Sequence, residues 1–136
     1  MELCAKDIME RNVVTVGPET GADAAMEIML REEVSGLPVV DAQGNLIGVV
    51  TEKDMLQTVY DKLFGQAPRA KTVADLMTRE VKTFDDEASV LEIAECLIHS
   101  TFRRVPILHE GKLVGVVSRP DVIHAILKMR ARQRQD

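Results

Sequence analysis

The chain has 136 residues, 46% of them apolar and 29% charged, with a formal net charge of −5. That length suits one compact domain or two closely joined small ones; with Trp absent and aromatics at 3%, the core must be built from Val, Ile, Leu, Met and Ala. The acidic balance argues against the broad basic face of a non-specific nucleic-acid binder, no apolar run reaches the roughly 20 residues of a membrane span, and two cysteines are too few for a disulfide framework.

The opening Met1-Glu2-Leu3-Cys4-Ala5-Lys6 carries no apolar export signal, so Cys4 and Cys96 read as reduced thiols and a cytoplasmic location is expected. After Lys6-Asp7-Ile8-Met9 a strand is predicted over residues 13–16. A helix follows, with Ala22, Ala25, Met26, Met29 and Leu30 on one face and Thr20 with Asp23 as the expected capping box. Strands are predicted over 37–40 and 46–50, on either side of the turn Asp41-Ala42-Gln43-Gly44-Asn45. Thr51-Glu52-Lys53-Asp54 then opens a helix whose apolar positions are Met55, Leu56, Val59 and Tyr60. Gly65 and Pro68 interrupt the chain, and residues 66–71 read as a linker.

Beyond the linker the pattern starts again. Ala74-Asp75-Leu76-Met77 repeats Lys6-Asp7-Ile8-Met9, and at the same offset Thr83 matches Thr15, Glu95 matches Glu27 and Pro106 matches Pro38. Strands are predicted over 81–84, 105–108 and 113–117. Val90, Ile93, Ala94, Leu97 and Ile98 line the middle helix, where the acidic run Asp85-Asp86-Glu87 favours the helix dipole. Val122, Ile123, Ile126 and Leu127 line the closing helix. The hairpin turn shrinks to His109-Glu110-Gly111-Lys112, and from there Gly115-Val116-Val117-Ser118 matches Gly48-Val49-Val50-Thr51. The organisation is therefore 1–65, a linker over 66–71, 72–128, and a basic tail over 129–136. The expected fold class is α/β (α+β): two pseudo-symmetric β-α-β-β-α units packed sheet to sheet, since a unit of this size has little core of its own.

The chemistry concentrates in a few places. Thr51 is a predicted N-cap, leaving backbone N–H groups suited to an anion, and the carboxylate of Asp54 can accept two sugar hydroxyls; a plain helix cap is the alternative reading. Ser118 and Asp121 repeat that arrangement. Arg103 and Arg104 offer planar forks of donors that suit phosphate, or else make surface ion pairs. The matching slots in the first copy are Ser35 and Gly36. His99, His109 and His124 lack metal-ligand spacing. No Ser/His/Asp or Cys/His set and no phosphate loop is present, so no enzyme is expected.

The order Asp-Ile-Met, Val-Val-Thr-Val, an Ala-rich helix, Ser-Gly-Leu-Pro-Val-Val-Asp and Gly-Val-Val-Thr-x-x-Asp resembles a CBS domain. Phe102-Arg103-Arg104-Val105-Pro106-Ile107 and Gly115-Val116-Val117-Ser118-x-x-Asp121 resemble it again, so the likeness covers about residues 5–128. The resemblance implies a Bateman module: a pair that binds AMP, ADP, ATP or S-adenosylmethionine, needs no cofactor for catalysis, regulates a separate partner protein and associates as a homodimer. It also implies roles. Asp54 would hold ribose and Thr51 ribose or phosphate, while Arg103 and Arg104 would reach the phosphates of that same nucleotide. Val14, Val34, Ser35 and Val49 would line the adenine slot, with Met9 near its rim, although the valines read equally as core. The second cleft, around Ser118 and Asp121, has Lys82 where the first copy has Val14, so the two clefts should differ in ligand. A ligand-free interaction and dimerisation module remains the alternative. The tail Lys128-Met129-Arg130-Ala131-Arg132-Gln133-Arg134 is the sole support for nucleic-acid binding and reads better as a solvated helix end or a partner contact.

Overall fold

The computed structural model describes residues 3–65 and 72–135, so the linker expected over 66–71 lies outside the described residues. In chain order the elements are α1 (Ala5–Ile8), α2 (Ala22–Glu32), β1 (Gly36–Val40), β2 (Leu46–Thr51), α3 (Glu52–Leu63), α4 (Val73–Leu76), β3 (Phe84–Asp85), α5 (Val90–His99), β4 (Arg104–His109), β5 (Lys112–Ser118) and α6 (Arg119–Gln135). They form two compact units. The central unit spans Val14–Val81. The flanking unit joins the segment up to Val13 to the chain from Lys82 onward. Sequence repeat and compact unit are thus out of phase, because each repeat's leading segment packs on the other repeat's strands.

In the central unit, β1 and β2 form an antiparallel hairpin with Leu37 opposite Val50 and Pro38 opposite Val49. Leu37, Val39, Val50, Ala25, Met29, Met55 and Val73 make its core. The flanking unit repeats this with β4 and β5, Val105 opposite Val117, around Val105, Ile107, Val117, Val90, Ile93, Leu97 and Val122. The turns differ as the deletion predicts. Asp41 Oδ1 accepts the backbone N–H groups of Gln43 and Asn45, holding the longer loop. The shorter one passes through Glu110 at φ 51° and Gly111 at φ 82°, the paired left-handed residues of a two-residue hairpin.

The leading strands are shorter than predicted. Of residues 13–16, Val16 alone bridges Val39; of 81–84, Phe84 alone is in strand, and Phe84–Asp85 runs parallel to β4. Proline supplies the reason. Val16 donates to the Pro38 carbonyl and Val40 donates to Val16, but the next parallel rung would need an N–H from Pro38, which has none. Pro106 ends the other ladder in the same way.

One further expectation needs correction. The N-cap of α2 is Gly21, with no side-chain cap, so Thr20 and Asp23 do not form a capping box; the Thr20 carbonyl instead accepts from Val73 N–H at 2.8 Å. The apolar helix faces are also only partly buried. Ala22, Ala25 and Met29 face the core, whereas Leu30 is exposed, as is its counterpart Ile98. On α3, Met55 and Thr58 are buried while Leu56, Val59, Tyr60 and Leu63 form a stripe in solvent; Ile123, Ile126 and Leu127 do so on α6.

The two leading segments are fastened identically. Glu10 exchanges both backbone hydrogen bonds with Val116 at 2.9 and 3.0 Å, and Thr78 does so with Val49 at 2.9 and 3.0 Å. Beside each bridge a methionine lies over a strand glycine. A Cβ at Gly115 would sit 2.5 Å from Met9 Sδ, and one at Gly48 would sit 2.7 Å from Met77 Sδ. Neither strand could carry a larger residue there without displacing that segment.

Candidate functional site

The expected site residues divide evenly between the units. Val14, Val34, Ser35, Val49, Thr51 and Asp54 lie in the central unit, and Met9, Lys82, Arg103, Arg104, Ser118 and Asp121 lie in the flanking unit. Met9, expected near the rim of the first adenine slot, therefore belongs to the other unit, where it packs over Gly115.

In the central unit the strand-to-helix junction is a complete capping box. Asp54 Oδ2 accepts from Thr51 N–H at 2.9 Å and from Thr51 Oγ1 at 3.1 Å, while Asp54 N–H points to Thr51 Oγ1 at 3.5 Å. A grip on sugar using both carboxylate oxygens is thus already half taken. Oδ2 is saturated, and Oδ1 alone has no donor among the described residues and is open to a ligand. Val14 and Val34 are half-buried and packed on the core, so each has one wall in the core and one side open. Ser35 is exposed, and its carbonyl accepts from Glu52 N–H. Both backbone groups of Val49 are bonded to Thr78, leaving only its side chain to line a slot.

The flanking unit repeats the junction. Asp121 Oδ2 accepts from Ser118 N–H at 2.9 Å and from Ser118 Oγ at 2.8 Å. Arg103 and Arg104 are exposed where the chain enters β4, with Arg104 directly opposite Ser118 across the hairpin. Among the described residues neither guanidinium is engaged in an ion pair or hydrogen bond. The Lys82 ammonium sits 4.9 Å from the centre of the Phe84 ring, a cation–π contact that holds it at the strand's edge.

The box geometry by itself does not mark a ligand site. Thr72 and Asp75 form it at α4, and Cys4 with Asp7 at α1, where the helices are only four residues long. What distinguishes Asp54 and Asp121 is their place at a strand end followed by a long helix, half-buried rather than exposed. Elsewhere, hydrogen bonding to Asp86, reinforced by its charge, raises the pKa of His109; Nδ1 lies 3.2 Å from the carboxylate. Among the described residues no three His, Cys, Asp or Glu side chains gather as a metal site requires, and no helix is long and apolar enough to cross a membrane.

The CBS domain family model matches residues 5–61 and 73–128. The crystal structure of CBSX2 in complex with AMP superposes with a TM-score of 0.82 at 32% identity, covering 93% of this chain and 98% of that one. Among curated proteins, the chain is 29% identical to the chloroplastic CBS domain-containing protein CBSX2 of Arabidopsis thaliana over 88% of its own length, and 29% identical to hypoxic response protein 1 of Mycobacterium tuberculosis, covering 91% of this chain and 89% of that protein. It is 31% identical to the protein MJ1225 of Methanocaldococcus jannaschii over 87% of its own length. It spans 41% of MJ1225 and 61% of CBSX2. With two matched copies filling most of its length, the chain belongs to the CBS domain family.

Proposed function

We propose that this CBS pair is a regulatory module that binds an adenosyl ligand (AMP, ADP, ATP or S-adenosylmethionine) and modulates a separate partner protein, with no catalytic step of its own. The observation that carries the reading is the junction at Thr51 and Asp54. A half-buried carboxylate there is held in place by its own cap and keeps one oxygen open toward solvent. Thr51 and Asp54 take the ribose, and Val14, Val34 and the Val49 side chain flank adenine beside Ser35. In the flanking unit, Arg103 and Arg104, unpaired among the described residues, are suited to phosphate, which favours nucleotides over S-adenosylmethionine. Ser118 and Asp121 form a second, weaker adenosyl site near Lys82. The AMP held by the similar CBSX2 supports the ligand class.

The exposed stripes Leu56-Val59-Tyr60-Leu63 on α3 and Ile123-Ile126-Leu127 on α6 have the spacing of buried helix faces, and a second copy of the chain covers them in a homodimer. Cys4 and Cys96 are both free thiols, in keeping with a reducing cytoplasmic setting. Thermal denaturation with AMP, ATP, S-adenosylmethionine and NAD tests the ligand class, because a ligand that binds only the native state raises the melting temperature. A rise with AMP or ATP supports it. No rise with any of the four favours the ligand-free interaction module.

A further inference from the structure

The helices α2 and α5 occupy the same place in the two repeats but end differently. α2 closes with its own backbone. Glu33 is left-handed at φ 54°, its N–H reaches the Leu30 and Met29 carbonyls, and Val34 N–H donates to Met29. α5 makes no such turn, because Ser100 is extended at φ −116° and ψ 165°. Its open carbonyls go to a side chain instead. Nη2 of Arg119 donates to the Leu97 carbonyl at 3.1 Å and to the Ser100 carbonyl at 2.9 Å.

Arg119 also holds the far end of the same segment, since its backbone N–H donates to the Arg103 carbonyl at 3.0 Å. The matching residue in the central unit is Glu52. It keeps the equivalent backbone bond, to the Ser35 carbonyl at 3.0 Å, but a carboxylate cannot donate to carbonyls. A cation in the first turn of α6 also opposes that helix's dipole, so its presence there requires another use.

We infer that Arg119 is a positioning residue: it clamps residues 97–103 from both ends and thereby fixes the direction in which Arg103 and Arg104 leave the chain toward phosphate. Arg119 touches no ligand. It ties the arginine pair to the turn that carries Ser118 and Asp121, so the phosphate preference of the flanking unit depends on three arginines rather than two. This inference rests on the adenosyl-binding reading above.

Calorimetry with AMP and with adenosine, on the full chain, tests it. Arg119→Ala should weaken AMP by about 5–10-fold, the size of one weakened charged hydrogen bond, and leave adenosine within about twofold. Arg119→Gln keeps one donor for the helix end and should fall between the two, which covers the case in which the alanine variant does not fold. In an Arg103→Ala/Arg104→Ala background, Arg119→Ala should have no further effect on AMP. Equal loss for AMP and adenosine would mean a helix cap and nothing more, and would overturn the inference, as would a loss that adds to that of the double variant. Binding of neither ligand by the unaltered chain would instead remove the adenosyl-binding reading itself, and this inference with it.

Discussion

The central and flanking units share one fold but differ in their chemistry. Each has a hairpin with a proline in its first strand, a methionine laid over a strand glycine, and a hydroxyl–carboxylate box at the next helix. Where the central unit has Val14, Ser35, Gly36 and Glu52, the flanking unit has Lys82, Arg103, Arg104 and Arg119. Duplication preserved the residues that the backbone requires. It left others to vary, and at those four positions every change adds positive charge or replaces a negative one. Packing constrains the frame, while the rim is where two copies can acquire separate roles.

The comparison can be broken most strongly at the shared core. Ile107 is fully buried and matches Val39 in the central unit. Ile107→Ala should destabilise by about 2–5 kcal/mol, and Ile107→Val, which installs the central unit's side chain, by about 0.5–1.5 kcal/mol, both read by urea denaturation. Gly115→Ala should follow, at about 1–3 kcal/mol, because its Cβ would meet Met9 Sδ and the Glu10 carbonyl. If Gly115→Ala is neutral, the N-terminal segment is not pinned as described.

The rim can be made alike in the two units by Arg103→Ser with Arg104→Gly. That change should weaken AMP by about tenfold or more, with adenosine nearly unaffected and the loss shrinking in high salt. The smallest effect concerns His109. Its folded pKa lies above its ordinary value through Asp86, so its contribution to stability is complete below the unfolded pKa and fades as pH rises through the folded one. Melting temperature should therefore fall slightly more with rising pH, across the upper part of histidine titration, in the native chain than in His109→Gln. Identical profiles would show that the exposed pair adds nothing.

Much of this was legible in the residues alone. The duplication, the hairpins, the shortened turn and both hydroxyl–carboxylate boxes follow from local spacing. The leading strands are shorter than residues 13–16 and 81–84 suggest, because Pro38 and Pro106 lack the N–H that a longer ladder needs. The box expected at Thr20 and Asp23 does not form, because the cap falls on Gly21, which has no side chain to accept. Periodicity marks the apolar faces of α3 and α6 but not what covers them, and most of each stripe lies in solvent. Pairing of Glu10 with Val116, and the grip of Arg119 on α5, join residues far apart in sequence and leave no local trace. The Glu52/Arg119 mismatch between matched positions was the one available signal.

The most direct test is calorimetric titration of AMP into the unaltered chain and into Asp54→Ala and Asp75→Ala. Both substitutions delete the carboxylate of a capping box, but only Asp54 is assigned to the ligand. The account predicts a loss of roughly 10–150-fold for Asp54→Ala, one to two charged hydrogen bonds, and unchanged affinity for Asp75→Ala. Equal affinity in all three proteins would contradict it and leave Asp54 a helix cap alone.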